Sequence, residues 1–290
     1  MSALALDLGG TNLRAGLVGG AATEPKPLGH WQAPRSLDAF RNRIAALLSE
    51  HGTSEVGIAI PGLASGSMCL WVPNLPFLDG VDLTQLFPGV RVTLGNDAHF
   101  SLLAEAADGA ARDCRNAILL AIGTGIGSAV LADGRILKGE GGAAISFGWA
   151  CADPHDSGDD AHGWLERSAS GHAMDRLAAS LSLPDAMTLV SRARAGDERA
   201  RAVLEPPMCA LGAALAGGVA LTGSPCVILA GGVADSLDVL GPMIRPALLR
   251  QLPPHLRSVR LAAGKFGSRS ALVGAGLAAR GHPIWLEDGS

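Results

Sequence analysis

Leu4-Ala5-Leu6-Asp7-Leu8-Gly9-Gly10-Thr11-Asn12 is the stretch on which the reading of this chain turns. An apolar run of strand character ends in a glycine turn, and a second apolar run, Leu13 to Val18, resumes at once. The pattern returns at residues 117–131. There the run through Leu119, Leu120 and Ile122 ends in Gly123-Thr124-Gly125-Ile126-Gly127, and Ser128 to Leu131 follows. Strand, tight turn and strand make a hairpin, and the turn glycines are expected to supply a positive φ. A dinucleotide-binding fingerprint differs, because its glycine turn opens a helix. A third run, Val227-Ile228-Leu229-Ala230, ends in Gly231-Gly232-Val233.

Outward from these turns, Leu37, Phe40, Ile44, Leu47 and Leu48 recur at helical spacing. Val56 to Ile60 reads as a buried strand closed by Pro61-Gly62, and Val90 to Leu94 as another, followed by a helix from about His99 to Ala111. Further helices are expected at Trp164–Leu181, at Glu205–Ala220 and at 271–288. A β-meander opening each half, followed by helices and further strands, gives an α/β fold class: two ribonuclease-H-like, actin-like ATPase domains flanking a cleft. The expected domains are residues 1–115, carrying the first glycine turn, and 116–270, with the terminal helix packing back on the first.

Composition narrows the function. The 290 residues are 48% hydrophobic and 17% charged, which excludes a disordered chain. Lys and Arg number 23 against 27 Asp and Glu, a net charge of −4, so no basic field draws in nucleic acid. No apolar run reads as a membrane span, and Asp7 interrupts the early apolar run a leader would need, so a cytoplasmic location is expected. Cys69, Cys114, Cys151, Cys209 and Cys226 are odd in number and scattered, which reads as small buried residues rather than a disulfide framework.

Glycine turns present backbone N–H groups that bind phosphate oxygens, and Thr11 and Thr124 each add a hydroxyl. Asp7, beside the first turn, reads either as a buried turn carboxylate or as a group positioning Mg²⁺. Gly95-Asn96-Asp97-Ala98 stands where a strand gives way to a helix. It reads either as a helix cap or as the place of a general base for a hydroxyl nucleophile.

Taken in order, these segments resemble the ROK family of repressors, open reading frames and sugar kinases. The resemblance is carried by Asp7-Leu-Gly-Gly-Thr-Asn12, Gly57-Ile-Ala-Ile-Pro-Gly62 and Pro73-Asn-Leu-Pro76. Gly95-Asn-Asp-Ala98, Gly123-Thr-Gly-Ile-Gly127, Leu165-Glu166 with Ala169-Ser-Gly171, and Ala230-Gly-Gly-Val233 complete it over nearly the whole chain. It implies an ATP- and Mg²⁺-dependent carbohydrate kinase with Asp97 as catalytic base. Asn96 and Glu166 would bind sugar hydroxyls, with Gly62 and Asn74 shaping the pocket. Asp7, Gly9, Gly10, Thr11, Asn12, Thr124 and Gly125 would serve the ATP phosphates and their Mg²⁺. Gly231 and Gly232 would lie beside the adenosine, and a homodimer is implied.

The chain also departs from the family. Where the pattern Glu-x-Gly-His is usual, Ser146-Phe147-Gly148-Trp149 stands, so Ser146 replaces a sugar-binding Glu and Trp149 a His that ligates zinc. Ser157, Asp159 and Trp164 stand where three zinc-binding Cys would be, and only Glu166 of that segment persists. No structural zinc is expected. Trp149 and Trp164 are expected to fill the space, and Trp149 to stack on a sugar face. The His155, Asp156, Asp159, Asp160 and His162 cluster reads as a solvated loop. With two hydrogen-bonding groups gone, the expected acceptor is a non-glucose sugar, a sugar acid or a cyclitol. The alternatives are a catalytically silent sugar-binding sensor, a nucleotide hydrolase, and a repressor. The last is disfavoured because the first turn begins too early for a preceding DNA-binding domain.

Overall fold

The two glycine hairpins head two separate sheets in the computed structural model, which describes residues 2–20 and 22–285. The described chain divides into two compact units. The first comprises the residues up to Asp113, Gly134–Ile145 and the residues from Ser268 on; the second comprises Cys114–Asp133 and Ser146–Gly267.

In the first unit, β1 (Ala3–Leu8) and β2 (Asn12–Val18) pair antiparallel, with Ala3 opposite Val18 and Leu8 opposite Leu13. The meander continues into β3 (Lys26–Gln32), then helix α1 (Leu37–Glu50) leads to β4 (Glu55–Ile60). A three-stranded sheet of β5 (Leu63–Ser65), β6 (Met68–Trp71) and β7 (Val81–Asp82) follows. The short α2 (Leu83–Leu86) leads into β8 (Arg91–Asn96) and α3 (Asp97–Asp108). The main sheet runs β3-β2-β1-β4-β8, with β1, β4 and β8 parallel. Strand alternation explains the burial of β1 on both faces. Leu4, Leu6 and Leu8 join Phe40, Ile44 and Leu47 of α1 in one core, while Ala3 packs with Val18 and Ala279 on the other face.

The second unit begins with β9 (Ala117–Ile122) antiparallel to β10 (Ile126–Ala132). The short β11 (Arg135–Leu137) follows and groups with the first unit. Segment 134–145 has ties there: the Ile136 N–H donates to Ile284 O, and His99 Nε2 lies 3.2 Å from Ala144 O. Helices α4 (Trp164–Ala169), α5 (Gly171–Ser180), α6 (Ala186–Arg194) and α7 (Glu198–Thr222) then precede β12 (Cys226–Ala230). Helix α8 (Leu237–Arg250) and β13 (Arg260–Ala263) complete the unit. Four strands of its sheet lie in the order β10-β9-β12-β13, with β12 parallel to both its neighbours.

The chain closes in the first unit with α9 (Ser270–Ala279). A Cβ at Gly274 would stand 1.8 Å from Phe100 O of α3, and one at Gly57 2.0 Å from Ala275 O, so glycine lets α9 approach α3 and β4 at backbone distance. The terminal helix is thus shorter than the 271–288 read from sequence, and residues 286–288 lie outside the described residues.

Three sequence expectations are corrected. Trp164–Leu181 is two helices, because Ser170 turns extended and its hydroxyl caps the second at the Ala173 N–H. Helix α7 begins earlier than Glu205, at Glu198 under an Asp197 cap. Burial of Ala200, Leu204, Met208 and Leu211 carries it across Pro206 and Pro207. Among the described residues it is the one helix long and apolar enough to cross a membrane (mean hydropathy 1.4), although its apolar side lies in the core of the second unit. Of the five cysteines, all free, Cys69 and Cys226 are buried, Cys114 and Cys209 are half-buried, and Cys151 is exposed.

Candidate active site

Asp7, Ile60 and Asn96 stand at the carboxyl ends of three adjacent parallel strands, where ligands gather in α/β sheets. Asn96 ends β8 and caps α3. Its Oδ1 accepts from the N–H groups of Ala98 (2.8 Å) and His99 (3.4 Å), and its Nδ2 donates to Gly62 O at 3.1 Å. The cap that the sequence offered is therefore Asn96, which leaves Asp97 as the first helical residue. A side chain at Gly62 is excluded by a different neighbour, since a Cβ there would lie 2.2 Å from Trp71 O.

Asp97 Oδ1 accepts from the Ala98 N–H at 2.7 Å. Dehydration of the carboxyl, followed by the nearby charge of Asp7, pushes its pKa up to about 7. Burial also pushes the Asp7 carboxyl up, against the pull of Arg14, whose Nη1 lies 3.2 Å from Asp7 Oδ2 and also donates to Ser268 O. Two carboxylates share this end of the sheet, one held against a guanidinium and one poised near neutrality. That division suits a general base at Asp97. The oxygen donors also fit Mg²⁺, a hard cation, with Asp7 Oδ1 the atom not directed at Arg14.

The first glycine turn is closed by the Gly9 N–H donating to Asn12 O at 2.8 Å. Neither Gly9, Gly10, Gly123 nor Gly125 lies in the left-handed region, so the expected positive φ is corrected. Room, rather than φ, requires two of them. A Cβ on Gly10 would meet Asn74 Cβ at 2.8 Å, and one on Gly125 would meet Glu166 Oε2 at 2.6 Å. Asn74 thus lies against the first glycine turn. Gly231 does take a positive φ of 77°, with its Cα against Ile122 O.

In the second unit, Glu166 lies against the second turn. Its Oε2 accepts from the Ile126 N–H at 2.9 Å and its Oε1 lies 3.0 Å from His162 Nδ1. The N–H groups of Gly171 and His172 donate to Gly123 O (2.7 Å) and Thr124 O (3.4 Å), fixing the turn on the start of α5. Gly123 and Gly231 follow the ends of neighbouring parallel strands. Beside them opens a cavity of about 290 Å³ walled by Ile122, Met174, Val190, Val233 and Leu240, with Gly232 at its edge. An apolar slot next to a glycine turn has the character of a planar-ring pocket. The sequence pointed to Gly232 but not to the helix residues Met174 and Val190, whose helical spacing reads as ordinary core.

The substituted zinc segment is organised by other bonds. Asp156 pairs with Arg167 in a two-pronged contact of 2.7 and 3.2 Å. Asp159 accepts from the N–H groups of Ala161 and His162. Among the described residues no group of three or more His, Cys, Asp or Glu could hold a metal ion, and a set of Trp149, Ser157, Asp159 and Trp164 does not fit zinc. The expected filling by two tryptophans is corrected: Trp164 packs on the core of the second unit, but Trp149 is 51% exposed.

Comparison with known proteins places the chain and its fold. The sequence profile of the ROK family matches residues 3–281. The chain belongs to the ROK family. An N-acetylmannosamine kinase of Salmonella typhi is 30% identical over 98% of this chain and 100% of its own. Among solved structures, a ROK hexokinase from Thermus thermophilus is 26% identical, covers 96% of this chain and 98% of its own, and has a TM-score of 0.77. A putative sugar kinase from Cytophaga hutchinsonii reaches a TM-score of 0.84 at 22% identity, over 97% of this chain and 100% of that one. The fold is the actin-like one of these kinases, and the chain is classed with them as an ATP-dependent carbohydrate kinase.

Proposed function

We propose that this ROK protein transfers the γ-phosphoryl group of ATP to a hydroxyl of a carbohydrate, with Asp97 as the general base. The observation that carries the reading is the position of Asp97 at a strand end, its pKa near 7, beside a glycine turn and a second carboxylate. Asp97 accepts the hydroxyl proton while the acceptor oxygen forms a bond to the γ-phosphorus and the bond to the bridging β–γ oxygen breaks. ADP leaves with that electron pair. Asp7 would hold Mg²⁺, which supplies charge neutralisation to the phosphates when bound. The residues of the chain orient. Gly9, Gly10, Thr11 and Asn12 present the first turn, and Thr124 and Gly125 the second. Gly231 and Gly232 border the nucleoside slot.

On the acceptor side, Gly62 and Asn74 shape the pocket, and Asn96 offers the N–H of its amide not given to Gly62. Glu166 offers the lone pairs left after its bonds to Ile126 and His162. Ser146 and Trp149 replace two hydrogen-bonding groups with a short hydroxyl and an exposed ring. The acceptor is therefore one with a reduced or different hydroxyl pattern than glucose: a deoxy-sugar, a sugar acid or a cyclitol, with an apolar face for Trp149.

Coupled ADP release with Mg-ATP, measured over hexoses, amino sugars, deoxy-sugars, sugar acids and cyclitols, tests both parts. Acceptor-dependent release that Asp97→Asn abolishes, with nucleotide binding retained, is the expected result. Turnover unchanged in Asp97→Asn would remove the base assignment, and a strong preference for glucose would remove the acceptor assignment. Nucleotide binding with a silent panel would favour a sensor.

A further inference from the structure

Arg35 is an exposed guanidinium with no role in the scheme above. It lines a cavity of about 530 Å³ in the first unit, together with Gly10 and Thr11 of the phosphate turn and with Asn74. Its backbone is clamped on both sides. The Ala33 N–H donates to Thr11 O at 2.8 Å, tying the loop to the turn itself. Pro34, directly before Arg35, has its own φ fixed and restricts Ala33, and Ser36, directly after Arg35, caps α1 by accepting from the Ala39 N–H. The other arginine at this turn, Arg14, is committed to Asp7 and Ser268 O. Among the described residues no carboxylate or carbonyl takes a hydrogen bond from the Arg35 side chain. A fixed loop therefore holds five unengaged donors beside an anion-binding turn.

We infer that Arg35 binds the γ-phosphoryl group of the nucleotide at the first glycine turn and stabilises its charge during transfer. The inference rests on the reading of that turn as a phosphate loop. The ligand class is a phosphoryl oxyanion, because Gly10 and Thr11 of the turn line the cavity and Asp97 does not; Asn74, assigned to the acceptor side, lies in the same wall, so the test separates nucleotide from acceptor. Arg35 makes and breaks no covalent bond. Its donors meet oxygens whose charge is already present in the bound nucleotide and is redistributed as the phosphoryl group moves.

The test uses the full chain and two variants, Arg35→Gln and Arg35→Lys, with thermal unfolding as a control on folding. Calorimetry compares the affinity for Mg-ADP with that for the Mg complex of the β,γ-imido analogue of ATP. Arg35→Gln is expected to leave ADP affinity within about twofold while cutting analogue affinity about fivefold or more, and Arg35→Lys to recover part of the loss. In the acceptor assay, Arg35→Gln should lower kcat by about 10²-fold with a neutral acceptor. An unchanged gap between the two nucleotides overturns the inference, whatever happens to kcat. Loss confined to the KM of acidic acceptors overturns it too, by assigning the guanidinium to the acceptor. If the wild-type protein shows no acceptor-dependent turnover, the kinase reading fails by itself, while the nucleotide comparison still decides Arg35.

Discussion

Asp97 and Asp7 divide one local field between them. A carboxylate with an ordinary pKa would be ionised at neutral pH but weakly basic, whereas one pushed to about 7 is matched to the proton a general base takes in the proposed transfer. The base is the ionised form, so kcat/KM should climb with pH, about tenfold per unit, up to a midpoint near 7 and level off above it. Asp7 is the second cause of the upward shift, after dehydration. Replacing Asp7 with Asn removes a negative neighbour, stabilises ionised Asp97, and should move the midpoint to lower pH. The height of the profile will also fall if Asp7 holds Mg²⁺, but the midpoint reports the coupling separately. A midpoint that stays fixed, or moves up, in Asp7→Asn would show that the two carboxyls do not interact. None of this shift was legible in the sequence. The residue pair Asn96-Asp97 was visible, but which of the two caps the helix depends on the Gly62 carbonyl, a contact made across 34 positions of chain.

Elements show the same division between what pattern reveals and what packing decides. Both hairpins and the strand β4 are written in alternation and turn chemistry, because their interactions are local or nearly so. The break at Ser170 and the course of α7 through two prolines are not, since burial by distant neighbours overrides local preference there. The glycine turns are the instructive case. Their glycines were legible and the reason for them was not: space, set by Asn74 and Glu166, governs Gly10 and Gly125. This separates two substitutions within one turn. Gly123→Ala adds a methyl where no atom lies within 4 Å, and its backbone is outside the left-handed region, so unfolding free energy should change by less than about 0.5 kcal/mol. Gly125→Ala drives a methyl against a carboxylate already held by Ile126 and His162, and should cost roughly 1–3 kcal/mol. Equal values for the two in denaturant titration would mean that the Glu166 contact does not constrain the turn.

At the scale of the molecule, the chain passes between its two units after Asp113, Asp133, Ile145 and Gly267. One of those passages falls between Ile145 and Ser146, directly before the residues that depart from the family pattern. The segment that departs from the family pattern is therefore preceded by an anchor in one unit, through His99 and Ala144, and continues in the other through Phe147, whose N–H donates to Ser128 Oγ at 2.9 Å. Neither unit is a contiguous piece of sequence, so ligand effects on each must be read in the intact protein. Hydrogen exchange does this residue by residue, because a bound ligand slows opening where its contacts lie. The β,γ-imido nucleotide with Mg²⁺ should slow exchange at residues 123–126, at the start of α5 and along α6, where the apolar slot is walled by Met174 and Val190. In the first unit it should slow residues 9–12 and, through the Ala33–Thr11 bond, residues 33–36. An acceptor identified in the panel should instead protect residues 62–75 and 95–99. Nucleotide protection absent from 123–126 and α6 would dissociate the slot from the nucleotide, and acceptor protection absent from 95–99 would remove Asp97 from the acceptor hydroxyl.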